Sequence, residues 1–558
     1  MDIRRELRSE FEALNIIIDE AALDTCEYLC HLYHIKSGDF CDQWLAFTLT
    51  NLKGANPTVE YLEKMERKEL MNRKKKPGDK SHRITPRKHE NAPLTPQSKK
   101  PVVADVAETP DTHSESKDEL SGINYSEKFQ KRDNSRAVLC HFGPEKVDFM
   151  RGENIVLSIK EVDDHKIPKN ILYMYQTVLK TGTQMNTMIY QLGHDILNAN
   201  DLRIPTEKLQ ETSDLVTTYG MLNSDTEHLL NLQSVVLQGS IETTNNAQFN
   251  VSFPKDTYVS SIFPGQVVAA KGTFNVDCRF CIQTLYTKAE LNLPIEPPLT
   301  TGGAQIVVAK GPFTFNENLS YEPLHDLLEY VREYKPHVLI LLGPFLDDTH
   351  DNVKTGDLNQ SYDSFFEDLM DNIINAVRDI DVHLVIVPSY KEIHHHPVYP
   401  TPPYHIKEKY DNVSFVSDPG VIEIDGLRIA TTTVDILAHL SIYEFYFHNS
   451  SIIKPIKRPL RLASHILHQK KIYPLHPSEG VPIDDVLLDK YGVFKAKPHI
   501  LILPSVLNSF IENIDDCLVI NPGRLSTGLV AGSFVRIQIE AGNTRSICDR
   551  AAAEVIRI

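Results

Sequence analysis

The spacing of apolar residues gives the first part of the chain the pattern of short amphipathic helices. Ile3, Leu7 and Phe11 recur at intervals of four residues, and this spacing places their side chains on one helix face. Asp19 is a candidate cap for a second helix, a third is centred near Trp44, and Thr58 precedes a fourth apolar pattern. We therefore predict a helical bundle over residues 1–70, suited to docking on other proteins.

Cysteines and histidines in this bundle raise the question of a metal site. They are Cys26, Cys30, His31, His34 and Cys41. Cys26 and Cys30 are four residues apart on an apolar helix face, and no paired C-x-x-C motif supports them as zinc ligands. We therefore expect these cysteines to pack in the core.

Residues 71–135 have the composition of a linker, since they are rich in charge and proline and poor in apolar residues. A basic run and three Thr-Pro sites stand out, namely Arg73, Lys74, Lys75 and Lys76, with Thr85, Thr95 and Thr109. The run predicts nuclear import, with a nucleic-acid-binding patch or a solvated tether as the alternatives. The threonines are candidate sites for proline-directed phosphorylation, which would reduce the local positive charge.

The middle of the chain, residues 136–292, changes from a lead-in segment to strands. Short strands are expected over 137–159, and the apolar spacing predicts a helix over 167–197. Strand-like runs then follow with turn signals between them, over 234–241, 248–253, 258–274 and 280–287. About five strands in so short a segment favour a small OB-type β-barrel.

Such barrels often bind single-stranded nucleic acid through aromatic residues in a basic groove. Here the charges are balanced, because Lys271 and Arg279 are offset by Glu242 and Glu290 among others. A protein-binding barrel is therefore favoured, and a single-strand-binding module stays open. Cys278 and Cys281 form one C-x-x-C pair without a partner pair, which argues against zinc there.

The last part, residues 293–558, begins with a proline-rich hinge and then alternates strands with helices. The predicted strands and helices are, in order, strand 306–309, helix 321–334, strand 338–342, helix 362–379 and strands 383–387, 414–416, 421–424, 427–431, 500–503, 534–539 and 554–558. This order predicts a layered α/β fold in which antiparallel strands join near the end. Ligands in such sheets bind beyond the carboxyl ends of the strands.

Composition narrows the class of protein. With 558 residues the chain is too long for one core, so about three or four folded units are expected. A net charge of -17 argues against a protein that grips nucleic acid over its whole surface. Eight cysteines without regular spacing suit a reducing compartment. The mixed charges after Met1 and the absence of a long apolar run predict a soluble, intracellular protein with no membrane contact.

The alternating part resembles the calcineurin-type metallophosphoesterases. In that family D-x-H, G-D-x-x-D and G-N-H-D follow the first three strands and hold two metal ions. The matching positions here are occupied by Lys310, Pro312, Pro344, Asp347, Ser389 and Tyr390. Only Asp347 fits the pattern, and proline or an ammonium group cannot ligate a metal. We therefore predict an inactive phosphoesterase domain with no catalytic residue, metal or other cofactor.

Further histidines lie outside this pattern. His394, His395 and His396 are adjacent in a predicted loop, where neighbouring side chains rarely converge on one ion. The spaced pairs Asp435 with His439, and His465 with His468, could share a helix face. We interpret all of them as structural.

Several motifs in this order resemble a known family. They are Phe263-Pro264-Gly265-Gln266-Val267-Val268, Leu342-Gly343-Pro344-Phe345-Leu346-Asp347, Val387-Pro388-Ser389, His395-His396-Pro397-Val398-Tyr399-Pro400 with Pro402-Pro403, and Asn521-Pro522-Gly523-Arg524-Leu525. Together they resemble the B subunits of DNA polymerase α. Several separate motifs in the same order are far more specific than any single one.

The resemblance implies a multidomain α+β protein with a helical bundle, an OB barrel and an inactive phosphoesterase domain. It implies a nuclear, non-catalytic subunit that binds the carboxyl-terminal, zinc-bearing domain of the catalytic polymerase subunit. Primase would be reached through the complex, other replication proteins through residues 1–70, and DNA mainly indirectly. A B subunit of polymerase δ or ε, or a residual metal-dependent phosphodiesterase, are the alternatives.

Overall fold

The computed structural model describes most of the chain outside the predicted linker. The described residues are 3–13, 16, 18–33, 35, 37–51, 56–67, 129–132, 134–144, 149, 157–168, 171–203, 215–226, 229–231, 233–253, 259–275, 279–408, 410–448, 456–528 and 530–558. The predicted import run, the three Thr-Pro sites and Cys278 lie outside these ranges. Among the helices of the described ranges, none combines the length and the apolarity that a membrane crossing requires.

The first part of the chain forms the four predicted helices. They are α1 (Ile3–Ala13), α2 (Glu20–Tyr33), α3 (Ser37–Asn51) and α4 (Val59–Met65). Both predicted caps are present, because Asp19 Oδ1 accepts the amide of Ala22 at 2.6 Å and Thr58 Oγ1 accepts that of Tyr61 at 3.4 Å. These bonds satisfy amides that have no partner within the helix.

The cysteines of this bundle pack as core residues, as predicted. Cys26, Cys30 and Cys41 are buried together with Phe11 and Trp44. Burial raises the pKa of Cys30 to about 12, so this thiol stays protonated at neutral pH.

The lead-in segment contains two strands and two helical elements. They are β1 (Val138–Phe142), β2 (Ile159–Glu161), a 3₁₀ turn (Asp163–His165) and α5 (Val178–Ala199).

The predicted helix over 167–197 is wrong at its beginning, because α5 starts only at Val178. Pro168 has no amide to donate within a helix. Met174 has a left-handed backbone with φ of 53°, and its amide donates instead to Asp484 Oδ2 at 2.9 Å. Thr177 then caps the helix through the amide of Lys180. The apolar spacing by itself did not predict where this helix begins.

The strand-rich segment forms a closed barrel. Its elements are β3 (Val216–Ser224), β4 (Val235–Gln238), a short helix α6 (Ile241–Thr244), β5 (Gln248–Ser252), β6 (Val259–Ile262), β7 (Val267–Phe274) and β8 (Phe280–Tyr286). The barrel order is β3-β4-β5-β8-β7, closed by the antiparallel pair β3 and β7, with β5 and β8 paired in parallel. The sequence prediction missed β3, whose polar residues and Gly220 weaken the strand pattern. The predicted turn at Pro264-Gly265 does separate β6 from β7, and Gly265 has φ of 90°.

The last part of the chain contains the remaining strands and helices. The helices are α7 (Glu322–Tyr334), α8 (Asp351–Thr355), α9 (Tyr362–Val377), α10 (Ile436–Tyr443), α11 (Arg458–His468) and α12 (Asp485–Tyr491). The strands are β9 (Ala304–Lys310), β10 (Val338–Leu342), β11 (His383–Val387), β12 (Val413–Phe415), β13 (Gly420–Ile424), β14 (Leu427–Thr431), β15 (Phe445–His448), β16 (Ile500–Ile502), β17 (Phe510–Ile514), β18 (Cys517–Asn521), β19 (Ser526–Thr527), β20 (Val530–Ala531), β21 (Ser533–Ile539) and β22 (Ala551–Arg557).

These strands form two sheets that pack face to face. One has the order β1-β22-β21-β9-β10-β11-β12 and the other β17-β18-β16-β14-β13-β2. Val308, Ile340 and Val385 of the first sheet share a buried cluster with Ile429 and Ile502 of the second. Helices α7 and α9 cover the outer face of the first sheet through a separate cluster. The predicted layered α/β fold is confirmed, with antiparallel β21 and β22 joining it, but the division into two sheets was not predicted.

The strands that precede the barrel belong to these sheets. β1 pairs with β22 and β2 pairs with β13, both antiparallel. The barrel segment contacts the same unit through β6, which pairs with β15. Gln469, just after α11, bonds to both the amide and the carbonyl of Val267 in β7. The barrel is therefore inserted between segments of one α/β unit and fastened to it.

Candidate functional site

The candidate site lies at the carboxyl edge of the parallel strands β9, β10 and β11. Leu342, the last residue of β10, is in register with Lys310 of β9 and with Val387 of β11. The three strands therefore end at one level, and the residues that follow them meet there. This is the edge at which ligands bind in open α/β sheets.

Lys310 ends β9 and points into this edge. Its side chain is buried, and its Nζ donates to the carbonyl oxygen of Gly343 in the loop after β10. Burial lowers the pKa of the Lys310 ammonium to about 7, and nearby Arg524 lowers it further while Asp418 opposes the shift. The side chain thus connects the ends of two strands where the phosphoesterase pattern has a metal ligand.

Glu392 holds the loop after β10 from the other side. Its carboxylate accepts the amides of Phe345 and Leu346 at 2.7 and 2.8 Å, and the hydroxyl of Tyr404 at 2.7 Å. Burial raises the pKa of Glu392 to about 7, although these hydrogen bonds favour the ionised form. The sequence prediction missed this residue, since no motif distinguishes it from a surface glutamate.

Asp347, the one position that fits the metal pattern, is engaged in a turn. Its Oδ1 accepts the amide and the hydroxyl of Thr349 at 3.1 and 2.7 Å. Pro344 comes between this turn and Gly343. Pro312, after β9, is tied by its carbonyl to the hydroxyl of Ser526 at 3.0 Å.

The residues after β11 also make contacts within the protein. Ser389 is buried, and its amide donates to the hydroxyl of Tyr404 at 3.0 Å. Burial raises the pKa of the neighbouring Tyr390 phenol. All six predicted positions therefore lie near the strand ends, where several of them support loops.

Asp418, which the sequence motifs did not single out, follows β12 at the same edge. It is fully buried, and its Oδ2 accepts the amide of Thr433 at 3.0 Å and also the Thr433 hydroxyl. Its Oδ1 has no hydrogen-bond donor in ordinary geometry within the described part of the chain. Burial raises the pKa of Asp418 to about 6, while the hydroxyls of Thr433 and Thr432 and the charge of Lys310 lower it.

Asp435 and Arg524 form an ion pair near the same edge. The Arg524 Nη2 lies 3.5 Å from Asp435 Oδ2, which also accepts the amide of Val506 at 2.9 Å. Asp435 Oδ1 caps α10 through the amide of Ala438. His439, four residues on, contacts the hydroxyl of Tyr473 at 3.1 Å. Both members of this spaced pair make contacts that suit a structural role.

The three adjacent histidines lie among aromatic rings. His394 stacks on Phe366 with ring centroids 3.9 Å apart, and His395 Nε2 donates to the carbonyl of Pro402 at 2.7 Å. The ring of His396 lies 6.1 Å from that of Tyr173. Burial lowers the pKa of His394 and of His395 to about 4. Their packing agrees with the structural interpretation.

His465 belongs to a polar cluster between β6 and α11. Its Nε2 lies 2.8 Å from Ser261 Oγ and 3.3 Å from Glu444 Oε1, and Arg461 binds the same carboxylate at 2.7 and 2.8 Å. One nitrogen contacts both serine and glutamate, whereas a Ser-His-acid relay needs both ring nitrogens. The cluster is therefore a fastening between units. His468 lies 3.3 Å from Asp515.

The part of the chain that the structure describes holds no group of three or more His, Cys, Asp or Glu side chains placed to bind a metal ion. What the edge offers is a set of buried hydrogen bonds and paired charges. Such an arrangement shapes and stabilises loops.

Comparison with known families agrees with this architecture. The chain matches the family model for the DNA polymerase alpha/epsilon B subunit over residues 306–512. It matches the OB domain of the DNA polymerase alpha B subunit over residues 181–288, and the amino-terminal domain of the same family over residues 5–72. The fold and site thus define the class of polymerase B subunits.

Curated relatives narrow the class further. The DNA polymerase alpha B subunit of Drosophila melanogaster is 30% identical and aligns over 100% of both chains. The Mus musculus protein of this name is 31% identical over 78% of this chain and 74% of its own, and the Rattus norvegicus protein 32% over 74% and 70%. The chain belongs to the family of DNA polymerase alpha B subunits, whose members are accessory rather than catalytic.

Proposed function

We propose that the chain is the scaffolding subunit of a DNA polymerase α–primase complex, which binds the carboxyl-terminal, zinc-bearing domain of the catalytic subunit and supports the initiation of replication. In this proposal residues 1–70 dock other replication proteins, and the tether predicted over 71–135 extends only as far as Phe129, which is buried in the α/β unit. Residues 136–292 carry the lead-in and the OB barrel, and residues 293–558, completed by β1 and β2 of the lead-in, form an inactive calcineurin-like phosphoesterase domain. Primase and DNA are reached mainly through the complex, in the nucleus.

One observation carries the non-catalytic part of this proposal. At the edge where two metal ions would be bound, Lys310 is buried against Gly343 and Glu392 holds the amides of the next loop. Two-metal hydrolysis needs ligands that leave open positions for water and substrate. Because these side chains are already bonded to backbone groups of the loop, they support a scaffolding role over a catalytic one.

A residual phosphodiesterase is the competing function. The purified chain with Mn²⁺ and a phosphodiester substrate is expected to show no turnover. Turnover that disappears in Asp347→Asn, but persists when the exposed Asp348 is changed in the same way, would contradict the scaffold proposal.

An exposed apolar segment suits the contact with the catalytic subunit. Between Leu172 and Leu179 five large apolar side chains face solvent, and Tyr175, Val178 and Leu179 are 77%, 90% and 81% exposed. Closely spaced exposed apolar residues of this kind are typical of protein interfaces.

Co-purification tests the partner. The full chain, expressed with the carboxyl-terminal domain of the catalytic subunit, is expected to form a stable complex, whereas the corresponding domains of polymerases δ and ε should not bind. Combined Tyr175→Ser, Val178→Ser and Leu179→Ser changes are expected to weaken the complex by about tenfold or more. Ile295→Ser, at a site 84% exposed elsewhere, is the matched control. Preferential binding to the δ or ε domain would contradict the assignment to α.

The proposed tether yields a separate test. Neutralising Arg73, Lys74, Lys75 and Lys76 is expected to reduce nuclear accumulation of the free chain. Phosphate at Thr85, Thr95 or Thr109 would be detected by mass spectrometry of the protein from dividing cells. Unchanged localisation would favour the solvated tether.

A further inference from the structure

Charges of both signs meet at the carboxyl edge of β9 to β12. The groups whose charge acts on Lys310 are Arg524, Asp418, Lys391 and Asp347. Asp435 joins them through Arg524 at 3.5 Å. Cationic and anionic side chains therefore act on one another at this edge.

Within this set, Lys310 and Asp418 are the members withdrawn from water. Lys310 is 5% and Asp418 0% exposed, so neither charge can be screened by solvent. Burying a lone carboxylate or ammonium is strongly unfavourable, and an opposite charge nearby offsets part of that cost. The two groups act on one another, since Lys310 lowers the pKa of Asp418 and Asp418 raises that of Lys310.

The Asp418 carboxylate interacts with one amide and with the hydroxyls of Thr433 and Thr432, but one of its oxygens lacks a donor in ordinary geometry. Thr433 donates hydrogen bonds to Oδ2, whereas Oδ1 has no donor in ordinary geometry among the described residues. A buried carboxylate oxygen without a donor calls for a positive charge nearby. Lys310 is a buried cation of this edge, and its charge acts on Asp418.

The same ammonium fixes the loop after β10. Its bond to the Gly343 carbonyl acts at the start of this loop, and Glu392 holds the amides of Phe345 and Leu346 immediately after it. The loop is thus held by a cation at one end and by an acceptor at the other.

We propose that Lys310 is a built-in cation, which takes the place of a bound metal ion at this edge by balancing Asp418 and fixing the loop that begins at Gly343. The chain thereby supplies covalently the positive charge that a carboxylate-bearing strand edge otherwise takes from solution. A covalently attached amine cannot leave the edge, so the shape of the edge does not depend on the metal concentration.

Thermal unfolding of the full chain tests this role. Lys310→Met keeps the length of the side chain but removes the charge and the donor, and we expect its Tm to fall by on the order of 5 °C or more. Lys310→Met combined with Asp418→Asn removes both buried charges and should recover part of that loss. Lys354→Met on the exposed α8 is the control and should leave Tm unchanged.

Metal response gives an independent readout. The natural chain is expected to show the same Tm with EDTA and with millimolar Mn²⁺. Lys310→Asp vacates the volume of the ammonium and adds a carboxylate to an edge that already carries Asp418 and Asp347, so Mn²⁺ should raise its Tm by several degrees. Lys354→Asp should not respond.

Several results would overturn the proposal. They are an unchanged Tm in Lys310→Met, a double variant that loses the sum of the single losses, or a Tm of the natural chain that rises with Mn²⁺. If Lys310→Asp does not fold, the double-variant comparison and the Mn²⁺ response of the natural chain still decide.

Discussion

Single residues at the strand edge take their roles from burial more than from any sequence signature. Lys310, Pro344 and Asp347 could be located because they lie at or just after the ends of strands that the sequence marks clearly. Glu392 and Asp418 could not, because a glutamate after Lys391 and an aspartate before Pro419 are ordinary surface patterns. Their burial depends on the packed loops around them.

Glu392→Gln is predicted to destabilise the protein by about 1–3 kcal/mol, because an amide offers one acceptor oxygen where two backbone amides need to be satisfied. Urea unfolding measures the loss. Glu317→Gln, on an exposed loop residue, is the control. A change below about 0.5 kcal/mol would mean that the Phe345 and Leu346 amides find other acceptors.

The buried carboxylate of Glu444 predicts how the stability of the protein depends on pH. Burial by itself raises the pKa of this carboxyl, but the hydrogen bonds from His465 and Arg461 outweigh burial and hold the pKa well below the ordinary 4.5. The stabilisation is therefore complete above pH 4.5 and is lost as pH falls below it, at up to about 1.4 kcal/mol per pH unit.

Glu444→Gln is expected to be less stable at neutral pH and to lose stability less steeply in acid than the natural chain. Thermal unfolding at a series of pH values from about 6 to 3 compares the two slopes. Parallel curves would show that Glu444 is not ionised in the folded state at acid pH.

Among the secondary structure elements, strands were predicted better than the joints between units. β10, β11 and β14 have the predicted bounds, since a short continuous apolar run is a strong signal of a buried strand. α5 begins later than predicted, because the Met174 amide bonds to the distant Asp484 and Thr177 caps the helix just before Val178. The pairing of β6 with β15 depends on contacts across units, which local patterns do not carry.

The contact of Gln469 with the barrel is predicted to be weakened by a negative charge at position 469. Gln469→Glu removes the amide that donates to the carbonyls of Val267 and Thr287 at 3.0 and 3.1 Å and places a carboxylate against them. We expect a loss of about 2–4 kcal/mol and faster proteolysis between the barrel and the α/β unit. Gln360→Glu, at an exposed position, is the control. Equal proteolysis of the two variants would exclude Gln469 as a fastening.

In the molecule as a whole, the α/β unit is assembled from both sides of the barrel. Phe129 lies in the same core cluster as Phe534, and Arg132 Nε donates to the carbonyl of Ile558 at 3.0 Å. β1 and β2 complete the edges of the two sheets. The described residues from 129 to 165 are therefore part of this unit.

Two truncations test that assembly. Removal of residues 1–128 is expected to leave the main unfolding transition within about 2 °C of the full chain. Removal of residues 1–165 deletes β1 and β2 and uncovers the edges of β22 and β13, so aggregation or a much lower Tm is expected. Calorimetry with light scattering measures both. Equal behaviour of the two fragments would show that β1 and β2 are dispensable.

Local patterns were sufficient to predict the helices of residues 1–70 and the alternating strands and helices of the last part. These features depend on periodicity and on the identity of single residues. The packed fold was needed to establish that the strands form two sheets, that β1 joins β22 and that Lys310 and Asp418 are buried at one edge. Such contacts join residues far apart in the chain, and they are selected by the burial of apolar faces and the balance of buried charges, which no local window contains.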